Sequence, residues 1–506
     1  MTTTSATPGV APRVGAPIPG PSRRSGRWID DWRPEDPEFW NESGRKVARR
    51  NLIWSIFAEH LGFSVWLIWS VSSAFLVATG FDYSPQQLFL LVALPNLVGS
   101  LLRLPYTFAV PKFGGRNWTV ASAALLLIPT LGFAYAVQRP DTPYWLFCLI
   151  AATAGLGGGN FASSMANINF FYPAAKKGAA LVLNAAGGNF GVALIQFFLP
   201  VIIGGAGMFG VVKASESGIN LERAAWVYAG LAIVATAAAY FFMDNLGTAK
   251  SAPREQLQVV RKRQTWIMAF LYIGTFGSFI GYSAAMPLLI KLNFWVPEPA
   301  PLGTGIYFAY FAFLGALVGS ATRPFGGWLA DRFGGAKVTL GAFGAMVGFT
   351  LCVLWTLMQL TPNPTADPTI ASANQSWFPW FLAFFLCVFA ATGIGNGSTY
   401  KMIPAIWRTE AERATTPGTP ERSAALLAGT KQASAAIGVI GAVGAIGGFL
   451  IPMAFSAPWV EDPMSAAKGS FVVFTCFYVV CATVTWFVYL RRPSASRATS
   501  LAGAGI

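Results

Sequence analysis

Charge is scarce in this chain: Asp, Glu, Lys and Arg make up 11% of its 506 residues. Histidine is nearly absent, with His60 standing alone. The five cysteines, Cys148, Cys352, Cys387, Cys476 and Cys481, all fall in apolar stretches and never at C-x-x-C spacing. They read as small packing residues and give neither a disulfide framework nor a metal cluster. No nucleophile–base pair stands out either, so an intramembrane enzyme is the least favoured class, and neither cofactor nor metal is expected. A secretory leader is also missing: the first thirty-odd residues are Pro, Ser, Gly, Thr and Arg with no apolar core. Residues 1–34 are therefore expected to form a disordered cytoplasmic tail.

What the chain has in abundance is apolar surface: 54% of residues are hydrophobic and the mean hydropathy is +0.52. No soluble domain of this length needs so much, which makes it a polytopic membrane protein. A formal charge of +14 is the kind of balance nucleic-acid binders carry, but most of it lies in short loops between apolar runs. Membrane topology explains that placement, and no nucleic-acid partner is expected.

Runs long enough to span a bilayer occur near 52–80, 86–112, 117–137, 143–172, 178–208 and 224–243. After a polar stretch with Lys250, Arg254, Arg261, Lys262 and Arg263 come six more, near 265–291, 304–330, 336–359, 377–407, 424–454 and 467–490. The layout is an N-terminal half (35–243), a basic cytoplasmic loop (244–264), a C-terminal half (265–491) and a short tail (492–506). Arg45, Lys46, Arg49 and Arg50 precede the first run, and Lys112, Arg116, Lys176, Lys177, Arg332, Lys337, Arg408, Arg413, Arg422, Arg491 and Arg492 fall on the same side. The alternate loops hold few basic residues, among them Arg139, Lys213, Arg223 and Lys468. The positive-inside bias puts both termini in the cytoplasm.

Two arginines interrupt this pattern. Arg103 begins R-L-P-Y-T-F-A-V-P-K-F-G-G and Arg323 begins R-P-F-G-G-W-L-A-D-R-F-G-G, each the same distance before its Gly-Gly pair, Gly114-Gly115 and Gly334-Gly335. An arginine at the centre of a membrane helix costs roughly 2.5–3.5 kcal/mol on insertion scales. Two at equivalent depths in duplicated halves suggest one central site for something negative. The acid on either helix is Asp331, at the cytoplasmic end of the eighth. Around them the fourth, fifth, tenth and eleventh runs are rich in glycine, which lets membrane helices approach closely. Interleaved are Asn160, Asn167, Asn184, Asn189, Ser163, Ser164, Ser398 and Thr399. Any one of these can simply tie helices together; as a set around two arginines they suit a small polar ligand.

The duplicated K-F-G-G-R-N and D-R-F-G-G-A-K loops resemble the cytoplasmic loop motif of the major facilitator superfamily. G-N-F-A-S-S-M-A-N-I-N-F-F-Y-P and G-N-G-S-T-Y-K-M-I-P look like the two nitrate motifs of its nitrate/nitrite porter family, the NarK-type branch, and the likeness runs from about Glu35 to Arg491. The resemblance implies a twelve-helix, all-α membrane fold of two pseudo-symmetric halves, working as a monomer in a bacterial cytoplasmic membrane by alternating access. It implies that Arg103 and Arg323 clamp the anion, flanked by Phe161, Tyr272 and Phe276 and by the amides Asn184 and Asn189. Ser398 joins them from the second motif. The expected substrates are nitrate and nitrite, whose paired oxygens match the parallel N–H donors of a guanidinium.

At two places the chain departs from the exchanger pattern of that family: Glu59 and His60 in the first run, and Lys401 in the tenth. Either they face the cytoplasmic interface, or they tune or carry protons, as intramembrane ionisable groups often do. Taking one anion into a negative interior costs about 2.3 kcal/mol per 100 mV. Uptake then needs more than one co-transported proton, or exchange for another anion. Three titratable candidates favour nitrate/proton symport, with electroneutral nitrate/nitrite exchange as the rival; Lys401 raising anion affinity alone is an intermediate reading. Transport of another small anion, a channel and a membrane sensor are the remaining alternatives.

Overall fold

In hydrocarbon every backbone N–H and C=O must be satisfied within the protein, and each apolar run meets that demand by coiling into a helix. The computed structural model describes residues 23–204, 218–249, 257–296, 304–362, 368–457, 460 and 462–491. Its long helices are α1 (Pro37–Thr79), α2 (Pro85–Phe113), α3 (Gly115–Val137), α4 (Tyr144–Phe171), α5 (Ala174–Ile202), α6 (Glu222–Phe242), α7 (Arg263–Phe294), α8 (Ala312–Phe333), α9 (Gly335–Met358), α10 (Phe378–Arg413), α11 (Pro420–Phe455) and α12 (Pro463–Leu490). All but α8 are long and apolar enough to cross a membrane. The exception has the length, but Arg323, Asp331 and Arg332 sit among its glycines.

Two boundaries differ most from the sequence pattern. The first helix begins well before its apolar run, at Pro37, where the Asp36 carboxylate accepts from the N–H groups of Glu38 and Phe39 at 3.0 and 3.3 Å. The eighth begins later than 304. Trp295–Val296 pairs antiparallel with Thr304–Gly305, a 3-10 turn takes Phe308–Tyr310, and the helix starts at Ala312.

The disorder expected over 1–34 does not extend to residues 23–34. Residues 1–22 lie outside the described residues, as do Lys213, Lys250, Arg254 and the whole of 492–506. Residues 23–34 are folded against the end of the helical bundle where α1 begins and α12 ends, labelled the inner end after the charge pattern of the sequence. Arg23–Arg24 pairs antiparallel with Trp28–Ile29, which pairs in parallel with Asn245–Leu246 after α6. Ile29 and Trp32 are buried in a small core with Phe39, Trp40 and Phe171, and the Trp32 indole donates to the Phe170 carbonyl at 3.1 Å. Beneath them Asp244, fully buried, pairs with Arg23 at 2.8 Å, Arg27 at 2.9 Å, and Arg50. Burial alone would push its carboxyl up; the Arg23 hydrogen bond and the Arg50 and Arg23 charges outweigh that and hold it below its usual 3.8.

The duplicated Gly-Gly pairs have one local structure. Gly114 and Gly334 end α2 and α8 at φ +89° and +91°, a region L side chains rarely adopt, and the next helix starts at the following residue. The halves meet through α2 on α11, α5 on α8 and α1 on α7. At the outer end, polar ties cross this seam: Ser70 Oγ donates to the carbonyls of Ser283 (3.3 Å) and Ala284 (2.8 Å), and Gln196 Nε2 donates to the Ser283 carbonyl at 2.5 Å and, within its own half, to Ser70 Oγ at 3.0 Å. Phe75 covers them, its ring 5.0 Å from Phe308. The inner end has a longer tie, Asn169 Nδ2 to Ser434 Oγ at 3.4 Å.

Candidate functional site

Where the halves meet, glycine-rich backbone positions the first arginine. The α4 hydrogen-bond ladder is interrupted at Gly159 and that of α11 at Ile446. Arg103 Nε donates to Gly158 O at 3.1 Å and Nη1 to Gly441 O at 3.0 Å, so one residue of α2 is pinned to both halves. Without side chains these glycines leave their carbonyls accessible, a common way to hold a membrane arginine. Among the described residues Arg103 Nη2 has no partner, and neither do Nη1 and Nη2 of Arg323 on α8. Arg103 is wholly buried and Arg323 is 5% exposed. None of the ion pairs among the described residues includes either one.

The two cations share one aromatic neighbour. The Phe161 ring centre lies 4.8 Å from the Arg103 guanidinium and 5.7 Å from that of Arg323. Phe276 lies 4.8 Å from Arg103 and stacks on Phe161 at 6.1 Å and on Tyr272 at 5.3 Å. A π-helical turn, Ile273–Gly277, carries Phe276 just after Tyr272. Such turns re-aim side chains and recur at functional sites. Phe161, Tyr272 and Phe276 are all buried, so water is largely excluded and electrostatic interactions in the site are strengthened.

The remaining candidates divide. Asn189 is buried with both amide atoms unpartnered. Asn184 instead donates to Glu59 Oε2 at 2.7 Å and Ser164 Oγ at 2.6 Å, leaving its Oδ1 free. Glu59 does not face the cytoplasmic interface: it is 1% exposed, accepts from Ser164 and Asn184, and leaves Oε1 unpartnered. It lies within electrostatic reach of Arg323 and Arg103 without pairing to either. His60 points elsewhere on α1, with Nδ1 3.2 Å from the Gly187 carbonyl of α5. Lys401 is held by Asp331 at 2.8 Å near the inner end, and both are partly exposed, so it is an interface residue here. Ser398 is satisfied by Thr339 Oγ1 at 2.7 Å and Gly395 O at 3.0 Å, on the α9 side of α10.

Sequence reasoning passed over Trp66 and Tyr400, whose rings lie 5.4 Å from Arg103 and 5.6 Å from Arg323. It also left out Ser320 and named Asn160 only within the polar set around the arginines, although both are buried with unpartnered polar atoms. Asn160 and Tyr400 each adjoin a chosen residue within the two motifs; Trp66 and Ser320 carry no such signal.

The sequence model of the Major Facilitator Superfamily matches residues 60–452. The "Nitrate/nitrite transporter NarU" of Escherichia coli K12 is 41% identical over 472 residues, spanning 92% of this chain and 96% of its own length. The chain belongs to the NarK-type branch of the major facilitator superfamily. A Thermus thermophilus member of that branch, "Probable nitrate/nitrite antiporter NarK2", is 36% identical over 480 residues, covering 92% of this chain and 97% of its own. Among solved structures, the partially occluded, inward-open xylose transporter XylE of E. coli aligns at TM-score 0.56 and 14% identity, over 90% of this chain and 100% of its own. A D-xylose–proton symporter aligns at 0.55 and 16% identity, over 86% and 96%. These likenesses bear out the superfamily's all-helical transporter fold, and the chain is a multi-pass membrane transporter.

Proposed function

We propose that this chain carries nitrate and nitrite across a bacterial cytoplasmic membrane, with both termini in the cytoplasm and each monomer holding a complete site. The observation that carries the reading is the pair of buried guanidiniums with three Nη groups unpartnered among the described residues and one aromatic ring close to both. Buried donors without partners destabilise a fold unless something accepts from them. A small flat oxyanion does so with two oxygens at once, and the rings of Phe161, Phe276 and Tyr272 fit its faces. Asn189 offers a further unpartnered amide. Asn184 acts through Glu59 and Ser164, and Ser398 supports α10 against α9.

Coupling to protons is the favoured mode, and Glu59 is its strongest candidate. Glu59 lies within electrostatic reach of both arginines, so in its ionised form it offsets part of their charge. An arriving anion adds a second negative charge, and protonation of Glu59 relieves that repulsion. One proton per anion moves no net charge. A second, with His60 next in line, would add drive from the membrane potential of about 2.3 kcal/mol per 100 mV.

Anion exchange remains the second reading. The relative described as an antiporter is 36% identical, and Lys401 is tied to Asp331 rather than to the site. Purified protein in proteoliposomes separates the two, measured with and without internal nitrite and with a proton gradient imposed or collapsed. Uptake driven by the gradient without internal anion supports symport. Uptake that needs internal nitrite and ignores the gradient establishes exchange, and no uptake in either condition rejects the substrate.

A further inference from the structure

Lys291 is a cation for which the central site has no use. It lies on α7 about two turns beyond Ser283, part-buried in the outer seam between the halves. Its ammonium donates to the Ala74 carbonyl, near the outer end of α1 in the opposite half, and lies 5.2 Å from the Trp295 ring centre. No ion pair among the described residues involves it. The described residues around it in the seam are neutral: Ser70, Gln196 and Ser283 on the inner side, Phe75 and Phe308 on the outer.

A lysine at this depth is costly unless something offsets its charge. One carbonyl at the negative end of a helix offsets part of it. That bond crosses the seam, so it exists only while the outer end is closed. Parting α1 from α7 removes the carbonyl and leaves a positive charge on the wall of the opened path, between the outer water and the arginines. A positive charge on a low-dielectric wall concentrates anions and speeds their arrival.

We infer that Lys291 is a second anion-binding position, at the outer mouth, switched on by opening: the Ala74 carbonyl occupies it when the outside is closed and a small inorganic anion takes it when the outside is open. The inference rests on the proposed anion transport and adds a side to it. The inner mouth has its own cation in Lys401, already paired with Asp331, so removal of Lys291 affects one face only.

The test is nitrate transport in right-side-out and inverted membrane vesicles, comparing wild type, Lys291→Gln and Lys291→Arg. For Lys291→Gln the KM for nitrate at the outer face rises roughly five- to tenfold, and the inner-face KM does not change. Lys291→Arg retains the wild-type outer KM. The wild-type advantage shrinks as an impermeant salt raises the ionic strength, because the Debye length falls to about 10 Å at 0.1 M. An unchanged outer KM, or equal rises on both faces, overturns the inference. If Lys291→Gln does not accumulate, Lys291→Cys replaces it: external aminoethylation restores the outer KM and external sulfonatoethylation does not, and equal effects of the two reagents reject the idea. Absence of nitrate transport in wild-type vesicles is a separate outcome, and it removes the proposed substrate rather than the role of Lys291.

Discussion

At the scale of single residues, the site depends on the shape of its cations as much as on their charge. Arg103 spends two donors on the Gly158 and Gly441 carbonyls and still has Nη2 free. A lysine offers a point charge on a flexible stem and cannot hold both backbones and an anion together. Arg103→Lys and Arg323→Lys are each expected to lower nitrate transport by more than about a hundredfold with charge retained, as losing a bidentate charged contact implies; initial uptake rates at equal protein content measure this. Glu59 invites a different substitution. Glu59→Gln keeps the shape and removes the titration, so proton-driven uptake should fall at least about tenfold while anion-for-anion exchange stays within about threefold. Loss of both modes together would assign Glu59 a structural role. The arginines stood out in the sequence because charge is rare there. Glu59 stood out too, but not its position, because α1 offers no hint of which face meets Ser164 and Asn184.

At the scale of elements, close helix contacts fix the position of Arg323. On α8 and α10, Gly326 faces the Ile394 carbonyl and Gly397 faces the Arg323 carbonyl, so backbone meets backbone beside the clamp. Gly397→Val forces these helices apart and should lower transport more than about tenfold, since overpacking costs about 1–3 kcal/mol and displaces the residue it touches. Gly344 on α9 is the control: a Cβ there meets nothing within 4 Å, so Gly344→Ala should leave transport and detergent-extracted yield unchanged. Gel filtration of both variants separates misfolding from a displaced site. The glycine-rich segments were visible as a pattern, but not which glycines face a helix and which face lipid. The π-helical turn at Ile273–Gly277 and the interruption at Gly159 had no sequence signal, because both are set by how α7 and α4 pack.

At the scale of the whole molecule, the chain's first described residues are fastened to the loop that joins the halves. Asp244 holds Arg23, Arg27 and Arg50, each about one-third exposed, so the arginines lose less than the carboxylate would if the pairing broke. Asp244→Asn is expected to lower stability near neutral pH by about 2 kcal/mol, below the cost of breaking a wholly buried pair. Because the folded carboxyl titrates below 3.8, its contribution is fully present above that value and is lost as the pH falls below it. Thermal melting of purified protein from pH 7 to pH 3 should show wild type above Asp244→Asn by a constant margin down to about pH 4, then converging. A constant gap to pH 3 would show that Asp244 titrates elsewhere.

Composition and periodicity determined most of the architecture. Long apolar runs have to be helices where no water can satisfy a backbone, and scarce charges in repeated places mark what those helices surround. The short N-terminal segment misled, because Pro, Ser and Arg outweigh Ile29 and Trp32 in composition although these two bury it. Tertiary structure decided which polar residues work together. It joined Glu59 to Asn184 and Ser164, sent Lys401 to Asp331 and Ser398 to Thr339, and brought Trp66 and Tyr400 beside the arginines. Sequence fixes what each helix carries, but the rotation and crossing of the helices fix which side chains meet, and those come from packing among all of them at once.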